Sequence, residues 1–202
     1  MSAAGLFYVG AVLIINGLML LGVVSAKAAS PLNLFVGALQ VVVPTVLMIQ
    51  SADVLVVADA TPLYLFGFTY LWVGINTAAD WDMRGLGWFS LFVAVSALAL
   101  SGYNGLIRVD EPFAVIWLYW AVLWFLFFCV MGLELAHLSR FTGWFAIITG
   151  IVSAAIPGAL QATGHWPTNA AVAVALAVVG VVSVVVLWLS TVRDQPRGTA
   201  TT

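Results

Sequence analysis

The segment IWLYWAVLWF, residues 116–125, places three tryptophans and a tyrosine within an apolar run. Tryptophan normally gathers at the two membrane–water interfaces, near the ends of a membrane-spanning helix, yet Trp124 falls near the middle of this run. Trp117, Trp120 and Trp124 are spaced i, i+3, i+7, which puts the three rings on one face of a helix. The segment therefore predicts a membrane-spanning helix with an aromatic stripe at its centre.

The composition of the whole chain is that of an integral membrane protein. Of 202 residues, 64% are hydrophobic and 7% are charged, and the mean hydropathy is +1.15. Soluble domains carry about 25% charged residues. The net charge of −2 provides no basic patch for nucleic acid, so we expect no nucleic-acid partner. Cys129 is the single cysteine, which excludes an intrachain disulfide and a cysteine-based metal cluster.

Seven apolar segments have about the 20 residues that a helix needs to cross the bilayer core. Because the loops between them are short, we expect one all-α helical bundle. No positive charge precedes the first segment, which favours a retained span over a cleaved signal peptide. The segments cover residues 4–25, 31–51, 62–79, 85–102, 113–134, 143–163 and 168–192.

The positive charges predict the orientation of these spans. With seven spans, Arg108 falls on one side of the membrane and the other five positive residues fall on the opposite side, which the positive-inside rule assigns to the cytoplasm. We therefore expect the N-terminus outside and the C-terminus in the cytoplasm. The tail over 193–202 is predicted to be disordered. The five residues are Lys27, Arg84, Arg140, Arg193 and Arg197.

Ionisable residues are missing from the predicted spans, where they normally mark ion paths or proton relays. The acidic residues and both histidines, His137 and His165, map to loops or helix ends. A lysine for retinal in the last span, paired histidines for haem and a metalloprotease His/Glu cluster are all lacking. We expect no cofactor, no metal and no enzymatic activity. A carrier that uses backbone groups at broken helices stays open as an alternative.

The spans contain a small set of neutral polar side chains instead. Each is interpreted either as an interhelical hydrogen bond or as a contact to a solute. Asn16 and Asn76 cost the most to bury unpaired. The set comprises Asn16, Gln40, Gln50, Thr69, Asn76, Ser96, Thr149 and Ser153.

The third apolar segment repeats the aromatic pattern of the fifth. In LFGFTYLWVGIN, residues 65–76, Phe66 and Tyr70 share a helix face, and Gly67 between them allows another helix to approach closely. Two such faces either pack the core or build a narrow slot. An ion in the slot would lose hydration worth tens of kcal/mol, whereas a neutral amide loses about 2–7 kcal/mol per unpaired polar group. A slot would thus favour a small, planar, uncharged solute.

Several stretches, in order along the chain, resemble the AmiS/UreI family of urea channels and short-chain amide transporters. The resemblance covers residues 6–166. It implies six helices around a pore in each protomer, a hexameric ring and an external N-terminus. The stretches are YVGAVLIING (8–17), LFGFTYLWVGIN (65–76), WFSLFVAV (88–95), AVIWLYWAVLWF (114–125) and FTGWFAIITGIVSAAIP (141–157).

The resemblance also implies roles for individual residues through the matching motifs. Leu6 and Val9 would narrow the outer side of the pore, and Asn16 matches a polar pore residue. Aromatic and apolar residues of the third and fifth helices would form a constriction on the cytoplasmic side. These are Phe66, Tyr70, Trp120, Leu123 and Trp124, with Trp117 nearby.

The chain departs from the family pattern at three places. Thr149 stands where urea-channel members have a glutamate in the sixth helix, which removes a carboxylate from the pore region. The outer loops near residues 52–61 and 103–112 contain no histidine, so we expect no acid gating. An additional helix over 167–192 follows the six-helix domain over 1–166, and we expect it to pack peripherally.

The leading hypothesis is a passive, homohexameric channel for urea or short-chain aliphatic amides. It would lie among membrane lipids and supply a cytoplasmic urease or amidase. A secondary carrier for a small neutral solute and a non-transporting scaffold or sensor subunit are the alternatives. Accumulation against a gradient would indicate the carrier, and aromatic rings directed at lipid or neighbouring helices would indicate the scaffold.

Overall fold

The computed structural model describes residues 3–193, with side chains as far as Thr191, and every regular element in this part of the chain is helical. Short π-helical or 3₁₀ turns extend or join several helices. The α-helices are α1 (Ala3–Leu20), α2 (Ala26–Gln50), α3 (Val54–Ala60), α4 (Leu63–Ala79), α5 (Arg84–Leu106), α6 (Glu111–Phe127), α7 (Ser139–Thr149), α8 (Ile156–Ala162) and α9 (Ala170–Trp188).

Seven helical spans in the described part are long and apolar enough to cross a membrane, as predicted. The third span joins α3 to α4, and the fifth extends α6 through a π-helical turn to Gly132. The sixth span, Ala136–Ala162, joins α7 to α8 through a π-helical turn at Gly150–Ala155. The all-α membrane fold is therefore confirmed. The predicted disordered tail lies, beyond Arg193, outside the described residues.

The third span begins earlier than the predicted segment 62–79, because the short helix α3 precedes it. Asp53 caps α3 by accepting a hydrogen bond from the Leu55 backbone N–H at 2.8 Å. The helix ends just before Pro62, which has no N–H to continue the helical ladder. A bend at this proline separates α3 from α4, and α3 carries Asp59.

Close contacts at glycines hold the first six spans together. A Cβ atom at Gly17 of α1 would lie 2.5 Å from the backbone oxygen of Gly143 on α7. A Cβ atom at Gly67 of α4 would lie 3.1 Å from the backbone oxygen of Gln40 on α2. The close approach predicted at Gly67 is thus confirmed. Small residues serve this purpose in membranes because helices there associate through van der Waals packing.

The additional helix α9 lies on the outside of the bundle, as expected. Within an apolar 18-residue stretch of this span, only 6% of the residues are buried inside the protein. The Tyr119 hydroxyl on α6 donates to the backbone oxygen of Leu176 at 2.7 Å. A Cβ atom at Gly180 would lie 2.9 Å from the Tyr119 ring. Tyr119 therefore holds α9 against the side of α6 that faces away from the stripe of tryptophans, and the Trp188 ring of α9 also contacts Phe141 on α7.

The two faces of the bundle carry different charges. The N-terminal face is the one at which α1 begins, and the C-terminal face is the one at which α1 ends. Lys27, Arg84 and Arg140 lie in the first turns of α2, α5 and α7, which begin at the C-terminal face. There, Arg84 Nε is 3.3 Å from a carboxylate oxygen of Glu134. Arg108 lies at the N-terminal face. This asymmetry follows the distribution that the sequence predicted for the spans.

Candidate functional site

An aromatic cluster occupies the middle of the bundle. It consists of Phe66 and Tyr70 from α4 and Trp117, Trp120 and Trp124 from α6. Phe66 is at its centre, with ring centroids 4.8 Å from Trp120, 5.1 Å from Trp124 and 5.7 Å from Trp117. These are contact distances for aromatic pairs. All five side chains are buried, so the two aromatic faces meet each other rather than lipid.

Two of the indoles are fixed by hydrogen bonds to neighbouring helices. Trp120 Nε1 donates to the Ser153 hydroxyl at 3.0 Å, and Trp124 Nε1 donates to the Thr69 hydroxyl at 3.2 Å. Each hydroxyl in turn donates to a backbone oxygen of its own helix, as Ser153 does to Thr149 at 2.7 Å. Ser153 lies in the π-helical turn of the sixth span, a feature frequent at functional sites. These bonds hold the planes of two rings in place.

Several buried polar groups of the bundle have no partner within the protein. Most buried hydroxyls of the described residues bond to the backbone, as Thr77 and Ser90 do. An unpaired polar group in an apolar medium costs about 2–7 kcal/mol, so each exception needs an explanation. The buried groups without a partner are Gln40 Oε1 and Nε2, Tyr70 OH, Trp117 Nε1, Thr142 Oγ1 and Thr149 Oγ1. Each keeps an unused capacity to form a hydrogen bond.

A cavity of about 330 Å³ opens at the N-terminal face and reaches Trp117. Its mouth is polar, because Arg108 Nη2 lies 3.1 Å from Asp59 Oδ2 and the Tyr103 hydroxyl donates to the same carboxylate at 3.1 Å. Asp110 caps α6 and accepts a hydrogen bond from the Trp166 indole at 3.0 Å. The cavity thus connects a charged entrance to the Trp117 side chain of the aromatic cluster.

The interior of the bundle holds no ionisable Asp, Glu, Lys, Arg or His among the residues whose side chains are described. The carboxylates and cations lie at the two faces, half-buried at most. Burying an ion without a counter-charge costs tens of kcal/mol, whereas a neutral solute loses only its hydrogen bonds to water. The site is therefore suited to uncharged molecules.

The residues that the sequence predicts for the site differ in burial and hydrogen bonding in the structure. Leu6, Val9 and Leu123 are buried in the same apolar core as the aromatic cluster. Thr149 is buried and unpaired. Asn16 is different, because its carboxamide forms a reciprocal pair with Asn33, with N–O distances of 2.9 and 2.7 Å. That geometry favours the interhelical alternative for Asn16.

Several polar residues near the site are not among the site residues that the sequence predicts. Thr69 and Ser153 were considered only as generic polar groups, although they orient the indoles. Ser153 lies four residues after Thr149 and Thr142 lies seven before it, so helical spacing from Thr149 is the signal that leads to both. Gln40 was also noted as polar but not selected, and Asn33 was not considered.

The fold and the interior together define a polytopic helical membrane protein whose described interior is apolar, bears a few neutral polar groups and holds no charged side chain, which suits small neutral solutes. The profile of the AmiS/UreI family, described as a family of transporters, matches residues 1–165. The chain belongs to this family. The match ends before α9 begins, so the seventh span lies outside the region that the family profile covers.

Named relatives and a solved structure agree with this membership. A Mycolicibacterium smegmatis protein named as a transporter of amidate substrates is 53% identical over 189 residues, which are 93% of this chain and 89% of the relative. The Rhodococcus erythropolis transporter protein AmiS2 is 55% identical over 174 residues, or 86% and 84% of the two chains. The crystal structure of the Helicobacter pylori urea channel matches with a TM-score of 0.73 at 34% identity. That match covers 83% of this chain and all of the channel.

Proposed function

We propose that this protein is a passive channel for short-chain aliphatic amides, urea or both. The observation that carries the proposal is the aromatic cluster, which bears unpaired hydrogen-bonding groups, is reached from the N-terminal face and has no charged group beside it. The names of the family relatives, which include amide-type transporters and a urea channel, point to the same solutes.

The proposed path starts in the cavity at the N-terminal face. A solute first meets the free indole N–H of Trp117, which can donate to a carbonyl oxygen. It then passes between the rings of α4 and α6 and reaches the hydroxyls of Tyr70 and Thr149. Phe66 contacts three tryptophans, so passage requires the rings to separate by the thickness of a planar molecule. The bonds from Trp120 and Trp124 to their hydroxyl partners limit that separation, and this limit selects flat, small solutes.

The proposed transport is passive because the interior offers nothing that couples solute movement to an ion. Proton- or ion-coupled carriers normally use a buried ionisable residue, and the described side chains inside this bundle are neutral. An uncoupler should therefore leave the flux unchanged. Loss of flux on adding the uncoupler would support the secondary carrier instead.

We further propose a hexamer in the bacterial cytoplasmic membrane, with the N-terminal face outside. Lys27, Arg84 and Arg140 at the C-terminal face support this orientation through the positive-inside rule. The channel would then feed a cytoplasmic amidase or urease, whose consumption of the solute maintains the inward gradient. Chemical crosslinking in native membranes tests the number of subunits, and labelling of a single cysteine introduced at either face tests the orientation.

Stopped-flow uptake into proteoliposomes tests the channel. Acetamide and urea should equilibrate faster than in protein-free liposomes. Acetamidinium, a planar cation of nearly the same size as acetamide, should not pass. Equal rates with and without protein for both neutral solutes would overturn the proposal and favour a scaffold or sensor role.

A further inference from the structure

Gln40 on α2 carries a buried carboxamide that has no hydrogen-bond partner within the protein. The side chain has no exposed surface, and neither its Oε1 nor its Nε2 has a partner within the protein. The other buried carboxamides of the described residues, Asn16, Asn33 and Asn76, each bond to another group. Gln40 therefore stabilises no helix contact through its amide, and its polarity needs another explanation.

The alignment of α2 with α1 and the contact of α2 with α4 both place Gln40 at the level of the aromatic cluster. The Asn16–Asn33 pair aligns α1 with the antiparallel α2. Gln40 lies seven residues beyond Asn33 and Val9 lies seven residues before Asn16, so both sit about 10.5 Å further along their helices, on the same faces. On its other side, the Gln40 backbone touches α4 at Gly67, the residue after Phe66. Gln40 is thus level with Val9 and with the centre of the cluster.

The helices α1 and α2 also contain a pair of carboxamides that bind each other. Asn16 and Asn33 exchange two N–H···O bonds, at 2.9 and 2.7 Å, in a closed ring. Such a ring needs an amide edge on which the carbonyl oxygen and one N–H point the same way. Primary amides and urea have this edge. Gln40, two helical turns away, carries the same edge, buried and without a partner.

We propose that Gln40 is a solute-binding residue that recognises primary carboxamides and urea by this paired edge, as Asn33 recognises Asn16. The inference rests on the proposed channel function and names the feature of the solute that is selected. Binding at the level of the tight aromatic contacts offsets the loss of hydration where the path is narrowest. Solutes of equal size without the edge gain no such compensation.

N-methylacetamide and propionamide provide a matched pair of probes, because they are isomers built from the same atoms. Propionamide is a primary amide and has the paired edge. In N-methylacetamide the trans amide turns its N–H away from the carbonyl oxygen and puts a methyl group on that edge. We expect the native protein in proteoliposomes to pass propionamide about tenfold faster, which corresponds to two modest hydrogen bonds at the barrier.

The variant Gln40→Met keeps the length of the side chain and removes its hydrogen bonds. We expect the ratio of propionamide to N-methylacetamide flux to fall to within about twofold, while N-methylacetamide flux itself stays nearly constant. The control Gln50→Met makes the same change at the exposed end of α2 and should keep the native ratio. Because an unpaired amide is removed, Gln40→Met should also unfold at an equal or higher temperature in detergent.

Three results would overturn this assignment. They are a native ratio near one, a native ratio that Gln40→Met retains, and an equal fall of both fluxes together with a lower unfolding temperature, which indicates a packing role. Failure of the proposed channel looks different, because then neither isomer would enter faster than in protein-free liposomes. If Gln40→Met cannot be purified, Gln40→Leu answers the same question.

Discussion

The fifth and the seventh spans are both strongly apolar, yet they occupy opposite environments. In an apolar 18-residue stretch of the fifth span, 61% of the residues are buried inside the protein, whereas 6% are buried in the corresponding stretch of the seventh. Hydropathy does not explain this difference in burial, because the less buried seventh span has the higher mean hydropathy. The difference lies in the side chains: α6 carries tryptophans with N–H groups that need partners, and α9 is built almost entirely from alanine and valine. An apolar composition predicts that a helix crosses a membrane. The positions of its polar and aromatic side chains predict which face contacts other helices.

The comparison is tested most strongly by replacing one tryptophan in each span, for which we expect the largest difference in stability. Trp120 is fully buried and bonded to Ser153, while Trp188 on α9 is half exposed. We expect Trp120→Ala to destabilise the protein by about 3–5 kcal/mol, or to abolish purification, because it leaves a large cavity. Trp188→Ala should cost less than about 1 kcal/mol. Thermal unfolding in one detergent measures both, and equal losses would contradict the distinction between the two spans.

A smaller effect is expected from the hydrogen bond that orients Trp124. Trp124→Phe and Thr69→Val each remove the contact between the indole N–H and the hydroxyl. Each should raise the flux of bulkier amides relative to acetamide, because the ring is freer to move. A double-mutant cycle should return a coupling of about 1 kcal/mol in unfolding free energy, the usual net value of one hydrogen bond. Fully additive effects of the two substitutions would show that the bond does not hold the ring.

Displacement of the seventh span should change transport even less. Gly180→Leu forces a side chain into the Tyr119 ring and detaches α9, and a chain that stops after residue 167 lacks the helix altogether. Because α9 contributes nothing to the aromatic cluster, we expect acetamide flux within about twofold of the native value for both variants. A loss of flux in both would mean that Tyr119 holds α6, and with it the tryptophans, in register.

The smallest expected effect is that of pH. Among the described residues, the N-terminal face carries one histidine, the exposed His165, and one histidine alone produces no steep switch. Amide flux at pH 5 should therefore stay within about twofold of that at pH 7, and His165→Gln should not alter the comparison. A severalfold rise in flux at pH 5 that His165→Gln abolishes would establish acid gating after all.

The structure agrees with the sequence where periodicity carries the information. The spacing of Trp117, Trp120 and Trp124 puts them on one face, and Phe66 meets them there. Agreement is weaker where a residue's meaning depends on its neighbour. Asn16 matched a polar pore position, but Asn33 from the next helix takes up its amide. Gln40 looked like any other polar residue until the absence of a partner became visible.

The sequence by itself determined the membrane environment, the seven spans, the family and the aromatic face of the fifth helix. These follow from composition, segment length and helical spacing, which are properties of single segments. Only the tertiary structure decided which hydroxyl holds which indole, which carboxamides pair and which stay open. Those outcomes depend on contacts between helices far apart in the chain, and on the π-helical turn that places Ser153 beside Trp120. Hydrogen bonds form over about 3 Å, a distance that only the packed bundle defines.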